Sequence, residues 1–192
     1  MKKLKYILPL LILFLAGCES DDDGFYNTVY VDAANLVEIE IAPSYELNDV
    51  IFINAEITNL LFETNQLAPL DIRRTTGNAE TFDFSYVIER NQNGEWVPVD
   101  LTSLHVADEG LFETGSFIRA FAKYSHVENS YLYRGGIKLT QAGNYRLSFG
   151  YNSTSTDKVE LFSNSQGNNI TVKISSATSQ LNNEGFYMFT VN

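Results

Sequence analysis

Thr81-Phe82-Asp83-Phe84-Ser85-Tyr86-Val87-Ile88-Glu89-Arg90-Asn91-Gln92-Asn93-Gly94-Glu95-Trp96-Val97-Pro98-Val99 is the stretch on which the fold class turns. Phe82, Phe84, Tyr86 and Ile88 alternate with Asp83, Ser85 and Glu89. A period of two puts the apolar side chains on one face of an extended strand, because successive Cβ atoms point to opposite sides. Asn91-Gln92-Asn93-Gly94 then offers a hairpin turn, since Asn and Gly tolerate positive φ. Trp96, Val97 and Val99 resume an extended run, and Pro98, which has no amide donor, predicts an edge position for it.

The same period recurs on both sides of this hairpin. Ile51, Ile53, Ala55 and Ile57 alternate with other residues, and 36–41 alternates with Glu38 and Glu40 turned outward. Further strands are expected over 116–123, 131–139, 144–151, 159–162, 170–174 and 186–191. Long amphipathic helical stretches are absent, and Leu60-Leu61-Phe62 reads as a single helical turn. Asp108-Glu109-Gly110 reads as a turn, and Gly135-Gly136 and Gly167 as isolated turn glycines. Nine or ten short strands joined by Asn-, Ser-, Thr- and Gly-rich turns predict an all-β, antiparallel β-sandwich.

Composition agrees with one ordinary domain: 192 residues, 44% apolar, 13% aromatic and 19% charged. The apolar share excludes a wholly disordered chain. A net charge of −11 argues against nucleic acid as a partner, which needs a basic surface to displace counterions. The acids are uneven: 19–113 holds 20 acids and 3 bases, whereas 114–192 holds 4 acids and 7 bases. No Pro-, Gly- or Ser-rich linker divides these halves, so strands from both are expected to interleave in one domain over 28–192. A single cysteine forms no internal disulfide, and a core of this size needs none.

Residues 1–17 read as a processing signal. Lys2, Lys3 and Lys5 form a basic start, and the apolar run from Tyr6 to Leu15 follows. Ten residues of helix reach only about 15 Å, half of a ~30 Å hydrocarbon core. That length suits the apolar segment of a leader peptide and not a membrane span. The run ends in Leu15-Ala16-Gly17-Cys18, with small residues before the lone thiol. The alternatives are an ordinary secretory leader with a chance cysteine, or a core helix. After Cys18 comes Glu19-Ser20-Asp21-Asp22-Asp23-Gly24, so 18–27 reads as an acidic, extended tether. Its aspartates lack the alternation and terminal Glu of a calcium loop.

Leu15-Ala16-Gly17-Cys18 resembles the lipobox of bacterial lipoproteins. The resemblance implies cleavage before Cys18, diacylation of its sulfur and acylation of the new amine. Two or more acyl chains give stable anchoring, where one gives only marginal binding. The acidic run resembles the export signal of Bacteroidota surface lipoproteins, which implies the outer face of the outer membrane. The chain from Tyr45 onward is diffusely similar to sandwich domains of such lipoproteins. Finally, Gly143-Asn144-Tyr145 opens a strand after a glycine turn. It resembles the tyrosine corner of immunoglobulin-like domains, which implies that the Tyr145 hydroxyl ties back to the backbone upstream. The immunoglobulin cysteines are missing, so the resemblance extends only to a disulfide-free relative.

Catalytic signatures are sparse. His105 and His126 lie 21 residues apart with no i, i+4 partner, so neither a metal nor any other cofactor is expected. No serine lies in a Gly-x-Ser-x-Gly elbow, and no glycine loop precedes a helix to hold phosphate. Carboxylate pairs for glycoside hydrolysis are available in any chain with 24 acids, which makes them uninformative. Trp96, Tyr124, Tyr131, Tyr133 and Tyr151 lie at strand ends and loops, where rings can stack on sugars or anchor a protein. Asn152-Ser153-Thr154 and Asn169-Ile170-Thr171 match the N-glycosylation pattern, a coincidence in a chain with a bacterial leader. The expectation is a non-catalytic, lipid-anchored surface module binding a glycan or an envelope protein. The alternatives are an accessory subunit of an outer-membrane assembly and a carboxylate-dependent envelope hydrolase.

Overall fold

The computed structural model describes residues 27–63, 66–100, 105–150, 158–165 and 170–192. The leader, Cys18, the acidic run to Asp23, Tyr151, Asn152-Ser153-Thr154, Gly167 and Asn169 lie outside the described residues. The chain runs through β1 (Asn27–Ala34), β2 (Val37–Ile39), β3 (Val50–Thr58), β4 (Leu60–Leu61), β5 (Leu70–Asp71) and a four-residue helix, α1 (Ile72–Thr75). It continues through β6 (Thr81–Gln92), β7 (Glu95–Pro98), β8 (His105–Glu109), β9 (Leu111–Thr114) and β10 (Ile118–Ser125). It ends with β11 (Ser130–Lys138), β12 (Gly143–Phe149), β13 (Lys158–Asn164), β14 (Ile170–Ala177) and β15 (Tyr187–Val191). The all-β class expected from the periodicity is what the described chain adopts.

Only Asn35 and Leu36 separate β1 from β2, yet these strands stand at opposite ends of the hydrogen-bonded path β1-β14-β13-β6-β10-β11-β3-β2. Seven gaps of about 4.8 Å would hold the ends of a flat sheet roughly 34 Å apart. The chain from Ala34 to Val37 spans at most about 11 Å. The sheet therefore curls until its ends meet. Local bonds hold that corner: the Asn35 amide donates to the Ala177 carbonyl at 2.8 Å, and the Leu36 amide to Ser176 Oγ at 3.0 Å. Pairing is antiparallel along this path except between β1 and β14.

β6 organises the rest. Thr81 to Tyr86 pairs with β10 on one edge while Thr81 to Asp83 pairs with β13 on the other. Further along, Tyr86 to Arg90 pairs with β12 and Glu89 to Gln92 with β7. The strand thus leaves one set of neighbours for another, and the sheet forks where β13 and β12 part. Inner positions alternate as the sequence requires: Phe82, Phe84, Tyr86 and Ile88 are all buried. Across from them, Ala122 faces Phe82 and Ala120 faces Phe84, so small residues make room for rings. Strands of the acidic and basic halves share one sheet, with β6 of the acidic half between β13 and β10 of the basic half.

The hairpin turns through Asn93 (φ 55°) and Gly94 (φ 94°), the positive pair of a tight β-turn, and among the described strands β7 pairs with β6 alone. Three segments fold differently from the sequence expectation. Leu60–Leu61 is not helical; it forms β4, paired with β5, and the helical turn comes later, capped by Asp71 Oδ1 accepting from the Arg74 amide at 2.9 Å. Asp108 and Glu109 end β8, with Gly110 bending the chain into β9. Gly135 and Gly136 sit inside β11, not in a turn, because rings occupy the space where their side chains would be.

Candidate functional site

The outward-facing residues of β6 carry the site. Asp83 lies directly opposite Phe162 of β13 on one edge and Phe121 of β10 on the other. Phe162 in turn faces Lys173 of β14, which faces Tyr30 of β1, and Phe121 faces Leu111 of β9. One row thus crosses six strands on the outer face: Tyr30, Lys173, Phe162, Asp83, Phe121, Leu111. Rings alternate with charges along it. Tyr30 is 72% exposed, Phe162 38% and Leu111 56%.

Ion pairs neutralise the charges from within. Arg119 reaches Asp83 with Nε at 3.1 Å and a terminal nitrogen at 2.5 Å, and approaches Glu113 at 3.8 Å. The hydrogen bond to Asp83 raises the pKa of the Arg119 guanidinium further. Lys173 bonds Glu160 at 2.7 Å and lies 5.2 Å from the Phe162 ring centre, while Lys158 meets Asp32 at 3.4 Å. Asp83 is buried, whereas the Arg119 side chain stays 47% exposed and presents its guanidinium to solvent. Where β13 and β12 separate, a cavity of about 530 Å³ opens beside this row, lined by Asp83, Arg119, Glu160, Phe162 and, from the inner side, Phe84 and Phe149. A second hollow of about 400 Å³ flanks Phe121, between Glu80, Phe112, Glu113 and Asn164. Both fall in the size range of small-ligand sites.

A buried polar cluster lies on the inner face. The Tyr86 and Tyr133 hydroxyls are 2.8 Å apart, and His105 Nε2 is 3.1 Å from the first and 3.0 Å from the second. Burial pushes the Tyr133 phenol up to about 12, raises Tyr86 well above its ordinary value and lowers His105 to about 4. All three are therefore neutral at pH 7, and the cluster pins β6, β8 and β11 together. His105 Nδ1 is buried without a hydrogen-bond partner among the described residues, and the ring packs at a tilt of 39° against Phe112, 3.8 Å between ring centres.

The residues singled out in the sequence scatter. Tyr131 and Tyr133 are core, 0% and 2% exposed, so they offer no binding platform. Trp96 is half-buried beside the Arg146 guanidinium, 4.7 Å away, which also covers Phe186 at 4.2 Å and bonds Glu89 at 2.6 Å. Tyr124 carries Arg73 over its ring at 3.8 Å, donates to Asn129 and meets the exposed His126 edge-on at 5.0 Å. His105 and His126 are not brought together, and among the described residues no group of three metal-ligating side chains converges. Tyr145 behaves as its resemblance implies: its hydroxyl donates to the Gln141 carbonyl at 2.7 Å.

Tyr30, Phe121 and Phe162 went unremarked in the sequence, although a signal exists. Each is an aromatic in the outward phase of its strand: Phe121 lies between the buried Ala120 and Ala122, and Phe162 follows the buried Leu161. No protein-family profile matches the chain, and no significant match appears among curated proteins or solved structures.

Proposed function

We propose that this protein is a lipid-anchored cell-envelope module whose curled sheet is an immunoglobulin-like β-sandwich that binds a glycan or another envelope protein without acting on it chemically. The single observation carrying the binding role is the outward row of aromatics at Tyr30, Phe162 and Phe121, which no core packing requires. The Tyr145–Gln141 bond supports the immunoglobulin-like reading. The anchor rests on Leu15-Ala16-Gly17-Cys18, and export to the cell surface rests on the acidic run. A glycoside hydrolase of the carboxylate-pair kind uses a carboxyl held protonated near neutral pH. Glu40 moves the other way, because the Arg134 hydrogen bond holds its carboxyl below the ordinary value.

Cys18→Ala in the full chain should transfer the protein from the membrane fraction to the soluble one. Retention of that variant in membranes overturns the anchor. Protease added to intact cells should digest the wild-type protein, and complete protection removes the surface assignment.

A second reading, an accessory subunit of an outer-membrane assembly, is favoured by a different region. Leu60, Phe62, Leu67 and Val127 are exposed, and the Asn59 amide bonds the Asn129 carbonyl at 3.1 Å, drawing two of these segments together. Gentle solubilisation followed by affinity capture distinguishes the two. A stoichiometric companion lost on Phe62→Ser supports the subunit.

A further inference from the structure

We infer that the outer row from Tyr30 to Phe121 is a binding site for a neutral, extended polysaccharide chain lying across the strands. The inference rests on the binding-module reading and narrows it to one class of ligand.

Spacing is the first argument. Tyr30 and Phe162 are each one strand from Lys173, and Phe162 and Phe121 are each one strand from Asp83. Measured along the curled sheet, adjacent rings therefore sit two strand spacings apart, about 9–10 Å at the backbone. A sheet enforces this interval, so the platform is set before any ligand arrives and little ordering accompanies binding. The interval is comparable to a disaccharide unit of an extended chain, so alternate sugars would lay their C–H faces on successive rings.

Charge is the second argument. Arg119 is matched by Asp83 and Glu113, Lys173 by Glu160, and Lys158 by Asp32. A site whose cations are already neutralised gives no net field to draw a polyanion. It does offer fixed donors and acceptors side by side, which suits hydroxyls that donate and accept in turn. Asp83 lies between Phe162 and Phe121, and the Arg119 guanidinium that bonds it stands 5.0 Å from the Phe121 ring centre, within reach of the hydroxyls of a sugar stacked on the row. The cavity of about 530 Å³ beside them accommodates a substituent or branch.

The test uses the full-length protein in detergent, titrated with cellohexaose, xylohexaose, mannohexaose and maltohexaose, and with a galacturonate hexamer as the anionic contrast. At least one neutral hexasaccharide should bind, more tightly than its own disaccharide. Going from about 0.05 to 0.5 M salt should change its affinity less than twofold. Phe162→Ala and Tyr30→Ala should each weaken it about fivefold to tenfold, with unchanged circular dichroism because both rings are exposed. Trp96→Ala, off the row, should leave binding intact. Preference for the galacturonate hexamer overturns the inference. Hexasaccharide binding that survives both row variants also overturns it, yet leaves a glycan module in place. If no hexasaccharide binds, the inference fails, and capture of an envelope protein then decides whether the broader binding role survives.

Discussion

The Tyr133 ring lies across the backbone of Gly135, two residues further along the same face of β11. A Cβ built on Gly135 would fall 2.5 Å from Cζ of Tyr133 and 3.0 Å from Nε2 of His105. Any side chain at this position displaces the ring, and with it the hydroxyl that meets Tyr86 and His105. A strand-interior glycine that weakens β-structure on its own is here the condition for the polar cluster.

Gly135→Ala should therefore cost about 1–3 kcal/mol by overpacking, more than a methyl group adds through strand propensity. Gly115→Ala is the matching control: nothing lies within 4 Å of its Cβ, and the change should stay within about 0.5 kcal/mol. Urea denaturation of the two variants gives the comparison. Equal stability of both would mean that the Tyr133 ring has room to move.

The same cluster makes stability depend on pH. His105 carries its proton with a pKa of about 4 in the folded chain, against 6.5 for an ordinary histidine. The unfolded chain thus binds the proton more readily, so this contribution is complete above pH 6.5 and is lost as pH falls towards 4. The difference sets a ceiling of roughly 3 kcal/mol, and the ring's partial exposure screens it to about 1–2 kcal/mol. Wild-type stability should drop by about 1 kcal/mol between pH 7 and pH 5. His105→Gln should flatten that interval, while the carboxylate-driven loss at lower pH persists in both. Parallel curves for the two proteins over pH 5–7 would remove His105 as the cause.

Most β-strands were legible because half-buried sheets write their period directly: 51–57 and 82–88 carry an apolar residue at every second position, even though Phe52 and Val87 between them are apolar too. β8 and β9 were not. His105 to Thr114 has mostly exposed residues and no apolar period, since this segment pairs along the diverging edges of β11 and β10 instead of covering the core. The strand-interior Gly135-Gly136 was unreadable for a related reason: its cause is a ring two residues away together with Val50 and Phe52 on the facing strand β3, distant in sequence. The candidate site depended on register. Knowing that Asp83, Phe121 and Phe162 are outward is within reach of parity, but that they stand side by side needs the pairing of β6, β10 and β13.

Tyr145→Phe isolates the tie to the Gln141 carbonyl. The ring remains, stacked on Phe189 at 5.3 Å, so packing is conserved and one hydrogen bond is lost. The carbonyl can turn to water, and the expected destabilisation is about 1 kcal/mol. A loss above about 3 kcal/mol in thermal unfolding would mean that the hydroxyl does more than close the corner.

Gln180 closes the sheet from the other side. Its Oε1 accepts from the Ile39 amide at 2.6 Å and its Nε2 donates to the Ile39 carbonyl at 2.8 Å, so one carboxamide imitates the neighbouring strand that β2 lacks. Gln180→Ala removes both bonds from the backbone of the buried Ile39, at a cost of about 1–3 kcal/mol. It also uncovers an edge whose free amide and carbonyl invite pairing with a second chain. Gln180→Glu keeps the acceptor but not the donor, and should fall between wild type and the alanine variant at pH 7. Unfolding curves together with light scattering at rising concentration read both effects. If the alanine variant is as stable and as monodisperse as wild type, the carboxamide is a bystander and the Asn35–Ala177 corner alone holds the ends of the sheet together.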